Sequence, residues 1–121
     1  MNILIVEDNE GIRKVLSARF ASRGCTVREA ASGEEGVREC SGEVGPDIVL
    51  TDFNLPGMNG AELAERICEI CKARGRDIPV FFLMTGNIMV TEEEAGPRFI
   101  AIFRKPFSSG ETARAILKMA Q

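Results

Sequence analysis

Side chains that could bind a cation and a phosphoryl group follow four short apolar segments of this 121-residue chain. The segments cover residues 3–6, 48–51, 80–84 and 99–103, and the polar residues at or just beyond their ends are Glu7, Asp8, Asp52, Thr85 and Lys105. Carboxylate oxygens are the ligands that Mg²⁺ prefers, and ammonium groups neutralise the charge of phosphoryl oxygens. The pattern therefore predicts phosphoryl chemistry, provided that the four segments end close together.

The elements that must position these residues alternate regularly along the chain. Strands are predicted at residues 3–6, 26–30, 47–51, 78–84 and 99–103, and amphipathic helices are predicted between and after them. Such alternation favours a parallel sheet covered by helices on both faces, with right-handed crossovers. We therefore predict a three-layer α/β fold, a doubly wound (βα)5 sheet with the flavodoxin-like strand order 2-1-3-4-5, as one domain over residues 1–121.

Helix starts are marked by side chains that can accept a hydrogen bond at an N-cap position. The predicted N-cap residues are Asn9, Ser32, Asn59, Thr91 and Ser108. The apolar faces of the first and last helices are predicted at Ile12, Val15, Leu16 and Phe20, and at Ala113, Ile116, Leu117 and Ala120. Gly96 and Pro97 follow Thr91 closely, so the fourth helix is predicted to be short or irregular.

Three carboxylates are predicted to meet because parallel strands end at one edge of their sheet, where ligands bind. Glu7, Asp8 and Asp52 would repel one another there, since two charges about 4 Å apart cost about 4 kcal/mol at an intermediate dielectric. A divalent cation removes this repulsion, and hard oxygen ligands favour Mg²⁺. The backbone carbonyl of Asn54 is predicted to be a further ligand.

Asp52 is the candidate nucleophile, because carboxylates form acyl-phosphate intermediates. Charge neutralisation and positioning carry most of the catalysis of phosphoryl transfer. Mg²⁺ and the ammonium of Lys105 would supply positive charge, and the Thr85 hydroxyl and the Gly86 N–H would donate to phosphoryl oxygens. Taken singly, each residue could instead cap a helix, form a turn or lie on the surface; their combination favours the functional interpretation.

Composition excludes several classes of function. The net charge of −3 gives no electrostatic footprint for nucleic acid or anionic membranes, and no apolar run approaches the roughly 20 residues of a membrane span. The N-terminus has no basic leader, so a cytoplasmic location is expected. Without histidine, a His-based metal site or triad is excluded.

Cys68 and Cys71 form a CxxC pattern within a predicted helix, where packing is the favoured interpretation.

Across nearly its whole length, the sequence resembles the receiver domain of bacterial two-component response regulators. The matching segments are residues 3–9 (Ile-Leu-Ile-Val-Glu-Asp-Asn), 52–60 (Asp-Phe-Asn-Leu-Pro-Gly-Met-Asn-Gly), 84–86 (Met-Thr-Gly) and 105–107 (Lys-Pro-Phe). The resemblance implies that a phosphohistidine of a sensor histidine kinase or a histidine phosphotransfer protein donates a phosphoryl group to Asp52. It further implies a signalling phosphoacceptor that assists its own phosphorylation and dephosphorylation, rather than an enzyme.

The same resemblance implies individual roles. Asp8, Asp52 and the Asn54 carbonyl would ligate Mg²⁺, and Glu7 would act mainly through a water molecule. Thr85 would be the switch hydroxyl and Lys105 the phosphate-pairing amine, with a cis peptide bond before Pro106. Phosphorylation would alter the surface of helix 4, strand 5 and helix 5 for a downstream protein target.

Two features depart from the family pattern, and alternatives remain. Ile102 stands where the family usually has a switch aromatic, with Phe103 one residue later, and the fourth helix is short.

The alternatives are an excised receiver of a larger regulator or hybrid kinase, and a pseudo-receiver that binds partners without phosphorylation. An aspartyl phosphatase is disfavoured because Asn54 cannot act as its general acid, and a flavin module because no Ser/Thr/Gly-rich loop follows strand 1.

Overall fold

A parallel five-stranded sheet runs through the centre of the computed structural model, which describes residues 1–121. Its strands are β1 (Asn2–Val6), β2 (Thr26–Ala30), β3 (Ile48–Asp52), β4 (Val80–Thr85) and β5 (Phe99–Arg104). They lie side by side in the order β2-β1-β3-β4-β5, with every pair parallel. The predicted fold class and strand order are therefore confirmed, with strand bounds that differ from the prediction by a few residues at most.

Five helices connect and follow the strands: α1 (Glu10–Ala21), α2 (Gly33–Cys40), α3 (Gly60–Ala73), α4 (Glu92–Ala95) and α5 (Ser109–Ala120). The side chain of each predicted N-cap residue accepts a hydrogen bond from a backbone N–H in the first turn. The fourth helix is a single turn, as predicted. An unpredicted two-residue hairpin pairs Asn54–Leu55 with Met58–Asn59 directly after β3, and Gly57 provides its positive φ of 80°. No helix is both long enough and apolar enough to span a membrane.

Two apolar layers cover the sheet. On one face, α1 and α5 contribute Leu16, Phe20, Ala113 and Ile116 to a cluster with alternate residues of β1, β3 and β4. On the other face, α2 and α3 contribute Cys40, Leu63, Ala64, Ile67, Cys68 and Cys71. Each large apolar side chain buried in these layers contributes about 1.5–3 kcal/mol. The sheet is consequently held rigidly, and the residues at its edge have fixed positions.

Four residues of the predicted apolar helix faces are less buried than expected. Val15 of α1 is 49% exposed, so the core-facing stripe of that helix is narrower than the sequence predicted. Three others are half-buried and pack at the margin of the core: Ile12 of α1, and Leu117 and Ala120 of α5. The stripe is narrow because α5 packs beside α1 and covers only part of its surface.

The CxxC cysteines are packing residues, as predicted. Cys68 and Cys71 are free thiols that lie buried in the α3 layer, and burial raises the pKa of both. Cys40 of α2 belongs to the same layer, and burial raises the pKa of its thiol to about 12. Such thiols stay protonated at neutral pH and behave as small apolar groups.

Gly60, the first residue of α3, lies against the backbone of Asp52. A Cβ at this position would be 2.7 Å from the Asp52 carbonyl oxygen and 3.0 Å from Leu83 Cδ1. We expect Gly60→Ala to lower the free energy of unfolding by about 1–3 kcal/mol, because the added methyl group overpacks the core. Chemical denaturation measures this effect, and Gly110→Ala in α5 is the control. At Gly110 a Cβ meets only Arg19 Nε, at 3.9 Å, and equal destabilisation by both variants would contradict the prediction.

Candidate functional site

The carboxyl ends of four strands meet at one edge of the sheet and bring the predicted site residues together. Glu7 and Asp8 follow β1, Asp52 and Thr85 end β3 and β4, and Lys105 follows β5. Carboxylate oxygens of Glu7, Asp8 and Asp52 all lie within 4.8 Å of one another. The predicted convergence of the three acids is therefore present in the structure.

The three acids differ sharply in burial. Glu7 is completely buried, Asp52 is 6% exposed and Asp8 lies on the surface. The buried backbone of Glu7 is held from two sides, because its N–H donates to the Ala30 carbonyl at 3.0 Å and its own carbonyl accepts a hydrogen bond from Arg13 at 2.8 Å. The cluster thus has a rigid interior and an open, solvated side.

Lys105 joins the acidic cluster from the opposite side. Its ammonium contacts Glu7 Oε1 and donates to Asp52 Oδ2 at 3.0 Å. The Lys105 side chain is 18% exposed, and its backbone N–H donates to the Thr85 carbonyl at 2.8 Å. The peptide bond between Lys105 and Pro106 is cis, as the resemblance implied. The lysine therefore lies beside Asp52 with its charge directed into the cluster.

Burial controls the electrostatics of Glu7 and Lys105. Burial raises the pKa of the Glu7 carboxyl to about 7; the charge of Asp52 adds to this effect, and hydrogen bonds from Lys105 and the Asn9 N–H oppose it. Burial by itself would lower the pKa of Lys105, but the hydrogen bonds and charges of Glu7 and Asp52 outweigh it and raise that pKa. Lys105 therefore stays protonated, and Glu7 lacks enough positive charge around it to be fully ionised at neutral pH.

This pKa shift predicts that stability of the metal-free protein depends on pH through Glu7. A raised folded-state pKa gives stability that is complete below about 4.5 and is lost as the pH rises through about 7. The shift corresponds to about 3 kcal/mol, and Glu7→Gln should remove this pH dependence. Denaturation in EDTA from acidic to mildly alkaline pH, compared between wild type and Glu7→Gln, measures it. Parallel pH profiles of the two proteins would contradict the prediction.

Asp52 and Asn54 are adjacent at the start of the hairpin. The Asn54 N–H donates weakly to Asp52 Oδ1 at 3.4 Å, and Asn54 pairs with Asn59 across the hairpin. The Thr51 hydroxyl donates to the Asp52 carbonyl at 2.9 Å, which fixes the end of β3. One Asp52 oxygen thus faces Lys105 while the other faces the hairpin.

Thr85 and Gly86 lie at the exit of β4. Thr85 is buried, and its Oγ1 accepts a hydrogen bond from the Asn87 N–H at 3.0 Å. Gly86 passes close to Lys105: a Cβ would lie 3.7 Å from Lys105 Cβ and 3.8 Å from its Cδ, which is ordinary contact. Packing therefore does not require glycine here, although its absent side chain leaves the space beside Lys105 open.

Sequence reasoning missed two arginines that hold the site. Arg13 of α1 binds the Glu7 carbonyl and also pairs with Glu29 at 2.9 Å. Arg104, at the end of β5, donates to the carbonyl oxygens of Asn87 and Val90. The one signal in the sequence for the Arg104 contacts is the position of this arginine, directly before Lys105 in an otherwise apolar strand.

Comparisons with known proteins agree with this geometry. Residues 3–117 match the profile of the response regulator receiver domain family. Sporulation initiation phosphotransferase F of Bacillus subtilis (strain 168) is 32% identical over 117 residues, which cover 96% of this chain and 90% of that protein. Sensor histidine kinase AtsR of Burkholderia thailandensis is 40% identical over 67 residues, which cover 55% of this chain and 11% of that protein.

A solved structure shows the same fold. The N-terminal domain of a response regulator/sensory box/GGDEF three-domain protein from Carboxydothermus hydrogenoformans superposes with a TM-score of 0.82 at 28% identity. The superposition covers 99% of this chain and 93% of that one. The acidic pocket of this chain therefore lies in a known type of scaffold.

Proposed function

Since this chain belongs to the response regulator receiver domain family, we propose that Asp52 accepts a phosphoryl group in a reaction that requires Mg²⁺. Receiver domains of two-component systems are signalling phosphoacceptor domains that interact with histidine kinases or phosphotransfer proteins. The donor would be the phosphohistidine of such a protein. The observation that carries the proposal is the Lys105 ammonium bound to Asp52, inside a cluster of three carboxylates.

The residues around Asp52 fit a magnesium ion. Glu7, Asp8 and Asp52 offer hard oxygen ligands within 4.8 Å of one another, and the Asn54 carbonyl is a further candidate ligand. Asp8 is exposed, which leaves room for coordinated water and phosphoryl oxygens. Bound Mg²⁺ would neutralise negative charge on the acids and on the transferred group.

The chain's own residues would then carry out the transfer. A carboxylate oxygen of Asp52 forms a bond to phosphorus while the phosphorus–nitrogen bond of the donor breaks, and its electron pair returns to the imidazole. Lys105, already next to Asp52, pairs with a phosphoryl oxygen. The Thr85 hydroxyl and the Gly86 N–H donate to other phosphoryl oxygens. The acyl phosphate is later hydrolysed in the same pocket.

We propose that the surface of α4, β5 and α5 binds a downstream protein target. A groove of about 550 Å³ lies between the short α4 and β5, and Ile100 on its wall is 54% exposed. Ile102 packs towards α4 with Leu83 and Val90, whereas Phe103 packs in the opposite layer against Phe82. Phe103 therefore cannot replace the missing switch aromatic, because it lies on the other face of the sheet.

The two alternatives differ from this proposal in measurable ways. A pseudo-receiver would bind its partner without a phosphoryl group, but its site would not need the Lys105–Asp52 contact that the structure contains. An excised receiver would have the same chemistry and a covalently attached output domain. We favour a receiver domain that acts as a phosphorylation-dependent binding module or relay intermediate.

Acetyl phosphate tests the proposed chemistry directly. We expect incubation of the protein with acetyl phosphate and Mg²⁺ to add one phosphoryl group, detected by intact mass spectrometry. EDTA should prevent the addition, because the acids around Asp52 then lack their cation. Addition that is equally fast in EDTA would contradict the role of Mg²⁺, and no addition under any condition would favour the pseudo-receiver.

A further inference from the structure

The loop of residues 86–90, which follows Thr85, is held at both ends by hydrogen bonds. At its start, the Asn87 N–H donates to Thr85 Oγ1 at 3.0 Å. At its far side, the Arg104 guanidinium donates to the Val90 carbonyl at 2.9 Å and more weakly to the Asn87 carbonyl at 3.4 Å. The hydrogen bonds of Arg104 thus span the loop that begins at Thr85.

Bonds within the loop connect these two ends. Asn87 Oδ1 accepts from the Met89 N–H at 2.9 Å, and the Asn87 carbonyl accepts from the Val90 N–H at 3.2 Å. The Val90 side chain is buried with Leu83 and Ala95, so the far end of the loop cannot move without disturbing this small cluster. Asn87 therefore connects the Thr85 hydroxyl to Arg104 through one short, continuous set of hydrogen bonds.

Arg104 is also adjacent to the reacting groups. It precedes Lys105, whose ammonium contacts Asp52, and the Lys105 N–H donates to the Thr85 carbonyl at 2.8 Å. Both hydrogen bonds of the Arg104 guanidinium go to backbone carbonyl groups of the loop, and it forms no ion pair. Its contacts consequently depend on the conformation of the loop.

We propose that Arg104 is a positioning residue that holds the 86–90 loop in the conformation in which the Thr85 hydroxyl is bound to Asn87. In this conformation Arg104 opposes the turning of the hydroxyl towards a phosphoryl group on Asp52. The inference rests on the proposed function of Asp52. A contact that stabilises only the resting conformation lowers the protein's affinity for any ligand that prefers the other conformation. Removal of the contact raises that affinity.

The effect extends to the surface. Ile88 is 85% exposed and Met89 is 74% exposed, and both lie on the loop that Arg104 holds. Release of the loop would therefore move two large, solvent-exposed apolar side chains. The position of Arg104 therefore provides a link between the phosphoryl site and this surface in a chain that has Ile102 instead of a switch aromatic.

Affinity for beryllofluoride, a mimic of the phosphoryl group, tests the proposal in the full chain. At fixed Mg²⁺ we expect Arg104→Gln to lower the dissociation constant about 5- to 10-fold, measured by titration calorimetry. Arg98→Gln is the matched control, because Arg98 binds Glu65 and does not contact the loop. The Arg98→Gln protein should bind beryllofluoride with the affinity of wild type. Arg104→Lys retains one cationic donor and should give an intermediate value.

Hydrogen exchange provides a second measurement. Without ligand, the amides of Asn87 and Val90 should exchange faster in Arg104→Gln than in wild type, while the amides of β1 and β3 stay unchanged. A folded Arg104→Gln protein with unchanged or weaker beryllofluoride affinity overturns the positioning role. If that variant does not fold, Arg104→Lys decides, with the same direction expected. If wild type itself does not bind beryllofluoride, the proposed function fails, and this inference fails with it.

Discussion

Asp52→Asn is expected to abolish the addition of a phosphoryl group from acetyl phosphate. An amide oxygen is a poor nucleophile, and in the structure Asp52 is the one acid that contacts Lys105 and is also partly accessible to solvent. Intact mass spectrometry of the variant, in the presence of Mg²⁺, should show only the unmodified protein. The loss should be complete rather than partial, because the new bond is made to this side chain.

Asp47→Asn is the control for this experiment. Asp47 lies before the opposite end of β3, where its side chain accepts a hydrogen bond from the Asn2 N–H at 2.7 Å, an interaction that asparagine can retain. The Asp47→Asn protein should incorporate the phosphoryl group like wild type. Retained incorporation in a folded Asp52→Asn protein would show that another residue is the acceptor and would refute the proposed chemistry.

Lys105→Met is expected to give the second large effect, a loss of stability in the absence of metal. Glu7 is fully buried and Asp52 nearly so, and removal of the ammonium leaves both without a cation. Removal of one partner of a buried ion pair lowers the free energy of unfolding by about 3–5 kcal/mol. The lower end of this range applies because Lys105 is 18% exposed. The loss should appear in EDTA above neutral pH and shrink at acidic pH, where Glu7 is protonated.

Two comparisons separate this effect from a general effect of losing a lysine. Lys14→Met removes an exposed ion pair with Glu29, in which Lys14 is 60% exposed, and should cost less than about 1 kcal/mol. In a double-mutant cycle, Lys105→Met should cost much less in a Glu7→Gln background than in wild type. The denaturation midpoints of wild type, the two single variants and the double variant give the stability changes of this cycle. If Lys105→Met lowers stability equally in both backgrounds, Lys105 and Glu7 are not coupled.

Local sequence signals predicted most of the secondary structure because their causes are local. An Asn, Ser or Thr oxygen that caps a helix meets an N–H only two or three residues away, so Asn9 and Ser108 identified their helices without tertiary information. The single turn of α4 follows from Gly96, whose φ of 92° ends the helix. The hairpin after Asp52 was missed because two-residue strands carry too few side chains to form a pattern.

The membership of the site followed from sequence as well. Parallel strands end at one edge whatever their exact register, so the residues after β1, β3, β4 and β5 had to converge once the fold class was known. The types of those residues, acids with a hydroxyl and an amine, indicated the chemistry. Burial within helices was less predictable: Val15 fits an apolar periodicity but is exposed, because the extent of the core depends on which helix packs beside it.

The amino-acid sequence by itself therefore determined the fold class, the helix starts and the set of residues that gather around Asp52, because each depends on short-range chemistry and strand direction. The tertiary structure alone decided how those residues interact. The raised pKa of Glu7 comes from burial by distant elements, the contact of Lys105 with Glu7 joins residues from opposite ends of the chain, and the Arg104 contacts depend on the path of a loop. Solvent exclusion and side-chain geometry arise only when the whole chain has packed, so no local pattern encodes them.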